Sequence, residues 1–317
     1  MLPTTRKYGP RDWAGVVEVA PKIDADERRA RLYSGAVIVE PGVDGATLLG
    51  QHAWTMLVEC LAPHDPMTVH EVLSPDELSD LLIGFKPAFI HHPRSKELVA
   101  QMLDELGFDL DRTYFEVPKP RTSYPTDHLT TGIAYAFQTH RDTWYAAPPQ
   151  QINIWLPVQP VSKDDAMLFY PDGFGSQVPN NSDGYNYYVY NSHRGNIKQF
   201  SGAKDTRVHP APNDGVPLGA TITVLPPAGG LMMFSGDQLH ASIPNTTNRA
   251  RYSIDFRIVD ALDVEAQIGA PCADVACEGT ALRDFIRATD HQRLDEALIE
   301  RYDVDPDRRT GVLVYGQ

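Results

Sequence analysis

The hydrophobic period of the chain changes along its length. Up to about residue 125, apolar positions recur every three or four residues in SPDELSDLLIGF (74–85) and SKELVAQMLDELGF (95–108). That spacing predicts two helices. Ser74 and Ser95 stand where N-caps are expected, and Glu77 completes a capping box with Ser74, whereas Leu98 breaks the same pattern after Ser95. A β-like run, LYSGAVIVE (Leu32 to Glu40), precedes both helices. From about Gly132 the texture becomes short apolar runs bounded by Pro, Gly and Asn: GIAYAFQTHRDTWYA, QQINIWLPVQPV, ATITVLPP, GGLMMFSG and RYSIDFRIVD. This cadence predicts a β-sandwich or barrel. Beyond Val264, ALRDFIRATDHQRLDEALIERYDV returns to near-helical spacing. The prediction is one domain over 1–317, mainly β with flanking helices. A strand and helices fill 1–125, the β core spans 126–260, and helices close 261–317.

The segment 170–213 interrupts the core with a polar, tyrosine-rich stretch too long for an ordinary connection. Tyr185, Tyr187, Tyr188 and Tyr190, with His193 and Arg194, make it a candidate lid; packing against the barrel or a homodimer contact are the alternatives. Charge narrows the partners. The chain carries 28 Lys and Arg against 42 Asp and Glu, a net charge of −14, which disfavours nucleic acid and acidic membrane surfaces. No run reaches the roughly 18 apolar residues of a membrane span, and the opening MLPTTRKYGPRDW lacks the apolar core of a secretory signal. A cytoplasmic protein acting on a small molecule is therefore expected. Cys60, Cys272 and Cys277 are too few for a disulfide framework and are expected to be free thiols.

The sharpest chemical signal is THRDTW. His140 and Asp142, two apart at the end of an apolar run, would project to one side of a strand. His240, after a second apolar run and a glycine-containing turn, supplies a third donor. Two histidines and one carboxylate with open positions suit non-haem Fe(II) that activates O2. Zinc with water is the chemical alternative, as in a cupin-like isomerase or hydrolase. In RYSIDFRIVD, alternation puts Arg251, Ser253 and Asp255 on one face, and an arginine fork beside a hydroxyl suits a carboxylate. Arg249 and Arg257 are rivals for that role, with solvated surface positions as their expected places.

The order H-x-D, a distant H, then R-x-S resembles the Fe(II)- and 2-oxoglutarate-dependent dioxygenases, and within them the phytanoyl-CoA dioxygenase-like branch. The resemblance covers the spaced motifs from about Gly132 to Asp260, with GAVIVEPG as a similar opening strand. It implies a double-stranded β-helix, or jelly roll, with helices backing the larger sheet. It also implies Fe(II) on His140, Asp142 and His240, and 2-oxoglutarate as cosubstrate, its distal carboxylate on Arg251 and Ser253. The implied reaction is hydroxylation of an amino acid or secondary-metabolite intermediate, with release of succinate and CO2. Related halogenases replace the metal carboxylate with a small residue, so Asp142 favours hydroxylation. An inert binding barrel is the remaining reading.

Strand parity adds weaker candidates. Gln151, Asn153 and Trp155 share one face of QQINIWLPV, opposite Ile152, Ile154 and Leu156. If the polar face is lumenal, Asn153 lies near the 2-oxoglutarate and Gln151 near the substrate. Trp144 is either a pocket wall or a packing residue. Arg121 is a candidate clamp for a substrate carboxylate, and Tyr188 a candidate substrate contact from the lid.

Overall fold

The computed structural model describes residues 16–130, 132–134, 138–192 and 209–303. A short strand, β1 (Val17–Val19), leads into α1 (Ala25–Tyr33), which Asp24 caps by accepting a bond from the Glu27 amide at 2.8 Å. The chain then turns at Gly35, whose φ of +101° suits glycine; a Cβ there would lie 2.7 Å from the Phe174 ring. β2 (Val37–Glu40) follows. The expected strand over 32–40 is thus shorter, because Leu32 and Tyr33 finish α1.

Three helices come next: α2 (Asp44–Leu61), α3 (Pro75–His91) and α4 (Pro93–Glu105). Ser74 and Glu77 form the expected capping box on α3. For α4 the cap is His92, not Ser95, and its Nδ1 accepts from the Arg94 amide at 3.1 Å. Pro93 is preorganised for the first helical position, so the helix starts earlier and Ser95 falls inside its first turn, fully buried.

The remaining strands are β3 (Thr113–Phe115), β4 (Lys119–Ser123), β5 (Ile152–Pro157), β6 (Met167–Phe169), β7 (Ile222–Val224), β8 (Leu231–Ser235), β9 (His240–Ser242), β10 (Arg251–Asp260) and β11 (Ile286–Arg287). The larger sheet runs β1-β2-β8-β5-β10-β3-β11, with β4 also on β10; all pairings are antiparallel except β1 with β2. The smaller sheet is β7-β6-β9, antiparallel. It lies over the larger one, because Met167, Phe169 and Val224 pack in one cluster with Val37, Val39, Trp155, Met232 and Phe234. This is the expected jelly-roll core.

Alternation assigns each side chain to a layer. Ile38, Ile152, Ile154, Met233, Ile254 and Phe256 face the helices in the main core. Their neighbours Val37, Trp155, Met232 and Phe234 face the smaller sheet. Because the larger sheet is covered on both faces, its central strands read as nearly continuous apolar runs.

Two predicted stretches differ. In GIAYAFQTHRDTWYA the described residues form 3-10 turns at Gly132–Ala134 and Asp142–Tyr145, and only His140 is bridged to another strand. The tail is mostly non-helical: α6 (Ala261–Ala266) and α7 (Glu296–Glu300) are short, and between them lie a 3-10 turn (Ala281–Asp284) and β11. Phe285, Leu294 and Ile299 pack against Tyr114 and Val259 at the sheet edge, and this packing overrides the helical spacing. Within 170–213, α5 (Tyr187–Ser192) is the longest helix among the described residues. His193 and Arg194 lie outside the described residues. No helix is long and apolar enough to cross a membrane among those residues.

The helical layer depends on a close crossing of α2 over α4. The Gly45 amide donates to Glu105 at 2.8 Å, and a Cβ at Gly45 would meet the Met102 backbone at 2.6 Å. Alanine in a helix normally gains up to about 1 kcal/mol over glycine. Here the clash should win, so Gly45→Ala is expected to lower stability by about 1–3 kcal/mol in urea unfolding. A stabilised variant would show that the crossing can open without cost.

Candidate active site

The site is built around a backbone exchange between residues a hundred positions apart. The His140 amide donates to the His240 carbonyl at 2.9 Å, and the His240 amide returns the bond at 3.0 Å. Such a pair sets its two side chains next to each other. The imidazoles lie 4.4 Å apart between centroids. Each Nδ1 is bonded to a carbonyl two residues earlier: His140 to Gln138 at 2.7 Å, His240 to Gln238 at 2.9 Å. A carbonyl can only accept, so Nδ1 carries the proton and Nε2 presents a lone pair.

Asp142 completes the set from the first position of the 3-10 turn rather than from a strand, since the turn brings it back beneath the histidines. Its Oδ1 lies 3.3 Å from His140 Nε2 and 4.0 Å from His240 Nε2. One ligand atom from each of the three buried residues falls within 4.8 Å of the others. Burial opposes ionisation of Asp142, but the Arg257 cation and the two histidines outweigh it and hold the carboxyl well below its usual range. Burial, reinforced by His140, pushes His240 down to about 4. At neutral pH Asp142 is therefore an anion and His240 neutral, the forms in which both can ligate a metal.

Arg141, between the two ligands, points the other way and is 1% exposed. It donates to the carbonyls of Asp237, Gly173 (2.7 Å) and Ser176 (3.0 Å), and pairs with Asp274 at 3.2 Å. It thereby ties the H-x-D segment to the turn before His240. Trp144 is fully buried with Val178 and Leu239, its Nε1 bonded to Asp274 at 2.9 Å, so it packs away from the cavity instead of lining it.

A cavity of ≈ 570 Å3 runs between the sheets, with His140 and His240 among its lining residues and Arg251 further along. The Gln151, Asn153 and Trp155 face is the inner one, and Asn153 and Trp155 line the cavity. Gln151 does not; its Nε2 donates to Asp142 Oδ2 and Asn153 Oδ1, both at 2.9 Å, so its amide faces the Asp142 carboxylate instead of the cavity. Arg251 lies with its guanidinium 5.7 Å from the Trp155 ring centroid, and Nη1 donates to Ser253 Oγ at 2.6 Å. Its Nε is buried with no hydrogen-bond partner, and it forms no ion pair among the described residues. Burial lowers its pKa to about 10, which leaves it a cation at pH 7. Ser253 lies behind Arg251, outside the cavity lining, so it orients the guanidinium rather than touching a ligand there.

Arg257 is no surface residue. It lines the cavity and contacts Asp142 (3.4 Å), Glu116 (3.3 Å) and Asp255 (2.7 Å). Arg249 is exposed, as expected. Arg121 lines the cavity but is engaged by Asp255 at 2.6 Å. Tyr188 is buried and bonded to Arg283 and Asp303, against the C-terminal segment instead of the cavity. Among the described residues Tyr145 reaches His140, edge-on at 5.3 Å, and Tyr185 packs on Tyr145 at 5.2 Å. Arg257 had a readable signal in the β10 alternation, which continues from Arg251 through Arg257; Glu116 and Tyr145 had none.

No protein-family model matches the chain, and no curated protein matches it. Among solved structures it is similar to EvdO2 from Micromonospora carbonacea var. aurantiaca in complex with 2-oxoglutarate, at 15% identity over 76% of this chain and 92% of that one, TM-score 0.41. The non-haem α-ketoglutarate-dependent epimerase SnoN from nogalamycin biosynthesis matches at 16% identity over 74% and 84%, TM-score 0.36. The non-haem monooxygenase ThoJ matches at 15% over 83% and 89%, TM-score 0.39. Likeness this distant does not transfer chemistry, which rests on the site's own geometry.

Asp255 supplies a test of that geometry. Burial would raise its pKa, yet Arg121 and Arg257 together bring it down to about 2 from 3.8. A depressed carboxylate stabilises the fold above its unfolded pKa, and the contribution is lost as pH falls through the folded value. Stability should therefore drop between pH about 4 and about 2. Asp255→Asn should flatten that part of the urea-unfolding profile and, by leaving buried cations unpaired, cost about 3 kcal/mol or more at pH 7. An unchanged profile would remove Asp255 from the account.

Proposed function

We propose that this protein is a non-haem Fe(II)- and 2-oxoglutarate-dependent oxygenase that hydroxylates a small molecule and releases succinate and CO2. The observation that carries this is Arg251. A buried cation with an unpartnered Nε and no carboxylate within 4.0 Å among the described residues, in the cavity lined by His140 and His240, is suited to an anionic ligand. The donor set fits iron, because His140, Asp142 and His240 offer two neutral nitrogens and one anionic oxygen and leave other positions open. Iron so bound would supply the redox chemistry that couples O2 reduction to cosubstrate decarboxylation.

The chain's own residues supply binding and order. Arg251 would take the distal carboxylate of the 2-oxo acid, with Ser253 and the Trp155 face fixing the fork. Asn153 lines the path between the two ends, and the buried walls of Phe234, Met167 and Trp155 exclude water. Zinc hydrolysis needs no cosubstrate, so a clamp for a cosubstrate carboxylate favours the oxygenase. The acidic surface and free cysteines Cys60, Cys272 and Cys277 support a cytoplasmic, small-molecule role. The H-x-D, H and R-x-S order supports the phytanoyl-CoA dioxygenase-like branch.

An anaerobic titration of metal-free protein with Fe(II) and then 2-oxoglutarate tests the reading through the weak visible charge-transfer band of the chelate. The wild type should show it and His240→Ala should not. Arg251→Met should still bind metal but weaken 2-oxoglutarate by about 2–3 kcal/mol, on the order of 100-fold. A variant with undiminished 2-oxoglutarate affinity would refute the assignment of Arg251.

A further inference from the structure

The two oxygens of Asp142 have different surroundings. Oδ1 faces the histidine Nε2 atoms, 3.3 and 4.0 Å away. Oδ2 faces backwards and receives two donors, Gln151 Nε2 at 2.9 Å and Arg257 Nε at 3.4 Å. Neither donor is free to wander. The Gln151 amide nitrogen also donates to Asn153 Oδ1 at 2.9 Å, which fixes the plane of the amide. Arg257 is held at Nη1 by Asp255 (2.7 Å) and Glu116 (3.3 Å), and Glu116 is itself paired with Lys119. It is the one arginine or lysine within 4.0 Å of the Asp142 carboxylate among the described residues.

We propose that Gln151 and Arg257 are positioning residues that clamp Oδ2 of Asp142, so that the carboxylate can offer a metal only Oδ1. The inference rests on the reading of His140, Asp142 and His240 as a metal site. A carboxylate that chelates through both oxygens occupies one more coordination position than one that binds through a single oxygen. A two-histidine, one-carboxylate set works by keeping positions open, so preventing chelation has a chemical purpose. Charge neutralisation alone would need only Arg257. The additional neutral donor from Gln151, aimed at the same oxygen, is what points to geometry. The strand pairing brings the donors together, because Arg257 stands opposite Asn153 across the β10–β5 pairing and Gln151 precedes Asn153 by two.

Co(II) is the probe, since its visible ligand-field bands change with coordination number and can be read without cosubstrate or turnover. The wild type is expected to bind Co(II) with one spectrum. Gln151→Leu, which leaves every charge in place, should change that spectrum and weaken Co(II) binding by about 10-fold, within the 10–100-fold range for lost outer-shell partners. Arg257→Lys keeps the cation but loses Nε, and should shift the spectrum in the same direction; the double variant should lose more than either alone. Variants that melt earlier but keep the wild-type Co(II) spectrum and affinity would overturn the clamp and leave only a structural role. If Arg257→Lys does not fold, Gln151→Leu decides alone, and an unchanged spectrum overturns the proposal. If the wild type takes up no Co(II), the metal reading itself fails, which the variants' behaviour cannot mimic.

Discussion

The reciprocal backbone bond between His140 and His240 is the constraint on which the site depends. It joins the segment before β5 to the first residue of β9, so the ligands sit where the two sheets meet instead of at a mobile loop. Because each imidazole is also anchored through Nδ1 to a carbonyl of its own segment, backbone geometry sets both the tautomer and the direction of Nε2. Asp142 then needs only one tight turn to arrive beneath them. Arg141 secures that turn by bonding the carbonyl of Asp237, in the connection that leads to His240. The ligand set is therefore a product of main-chain pairing, and side-chain packing refines it.

The inner face of β10 sets a second constraint. Arg251, Ser253, Asp255 and Arg257 all project between two sheets otherwise lined by Trp155, Met167, Phe169 and Phe234. Charges in such a place must be paired. They are paired almost throughout: Asp142 with Arg257, Arg257 with Asp255, Asp255 with Arg121. This chain of alternating sign runs from Asp142 along the cavity. Arg251 stands outside it, with a hydroxyl and an aromatic face as its company. Asp165 and Asp255 act on Arg251 only at a distance, and it forms no ion pair within 4.0 Å among the described residues, so its Nε is left open to an anion. The contrast carries more weight than the presence of an arginine, which sequence motifs alone would have supplied.

Much of this was legible in the residues themselves. The short apolar runs of β5, β8 and β10 marked the core strands, and the parity of β5 and β10 placed Asn153, Trp155 and Arg251 on the inner face. The capping box at Ser74 located the start of α3. What escaped was set by tertiary contact. The 281–304 segment has helical spacing, but Phe285, Leu294 and Ile299 use it to pack on a sheet edge. Asp142 looked like a strand residue because it is two from His140, whereas a 3-10 turn produces the same convergence. Arg257 was read as a surface arginine because one strand in isolation does not disclose which carboxylates lie across the cavity. Glu116 becomes the partner of Arg257 only once β3 and β10 are adjacent. Gln151 was placed on the right face but given the wrong neighbour, since nothing local says whether an inward amide meets a ligand or a carboxylate.

The same division separates what is shared from what is particular in the site. The metal donors, the charge chain and Arg251 are held by strands or by bonds to them, and strands place atoms with little freedom. The other side of His140 is built differently: Tyr145 comes from a 3-10 turn, and the rings beyond it, Tyr185 and Tyr190, come from the 170–213 segment. Irregular segments tolerate change without disturbing a sheet. The charged side of the cavity thus rests on the rigid layer, while the aromatic side beyond His140 rests on irregular chain. This is why charge pairing and parity expose the Arg251 end of the cavity so directly. The opposite end is defined by aromatic shape, and shape is decided by contacts that no short motif encodes.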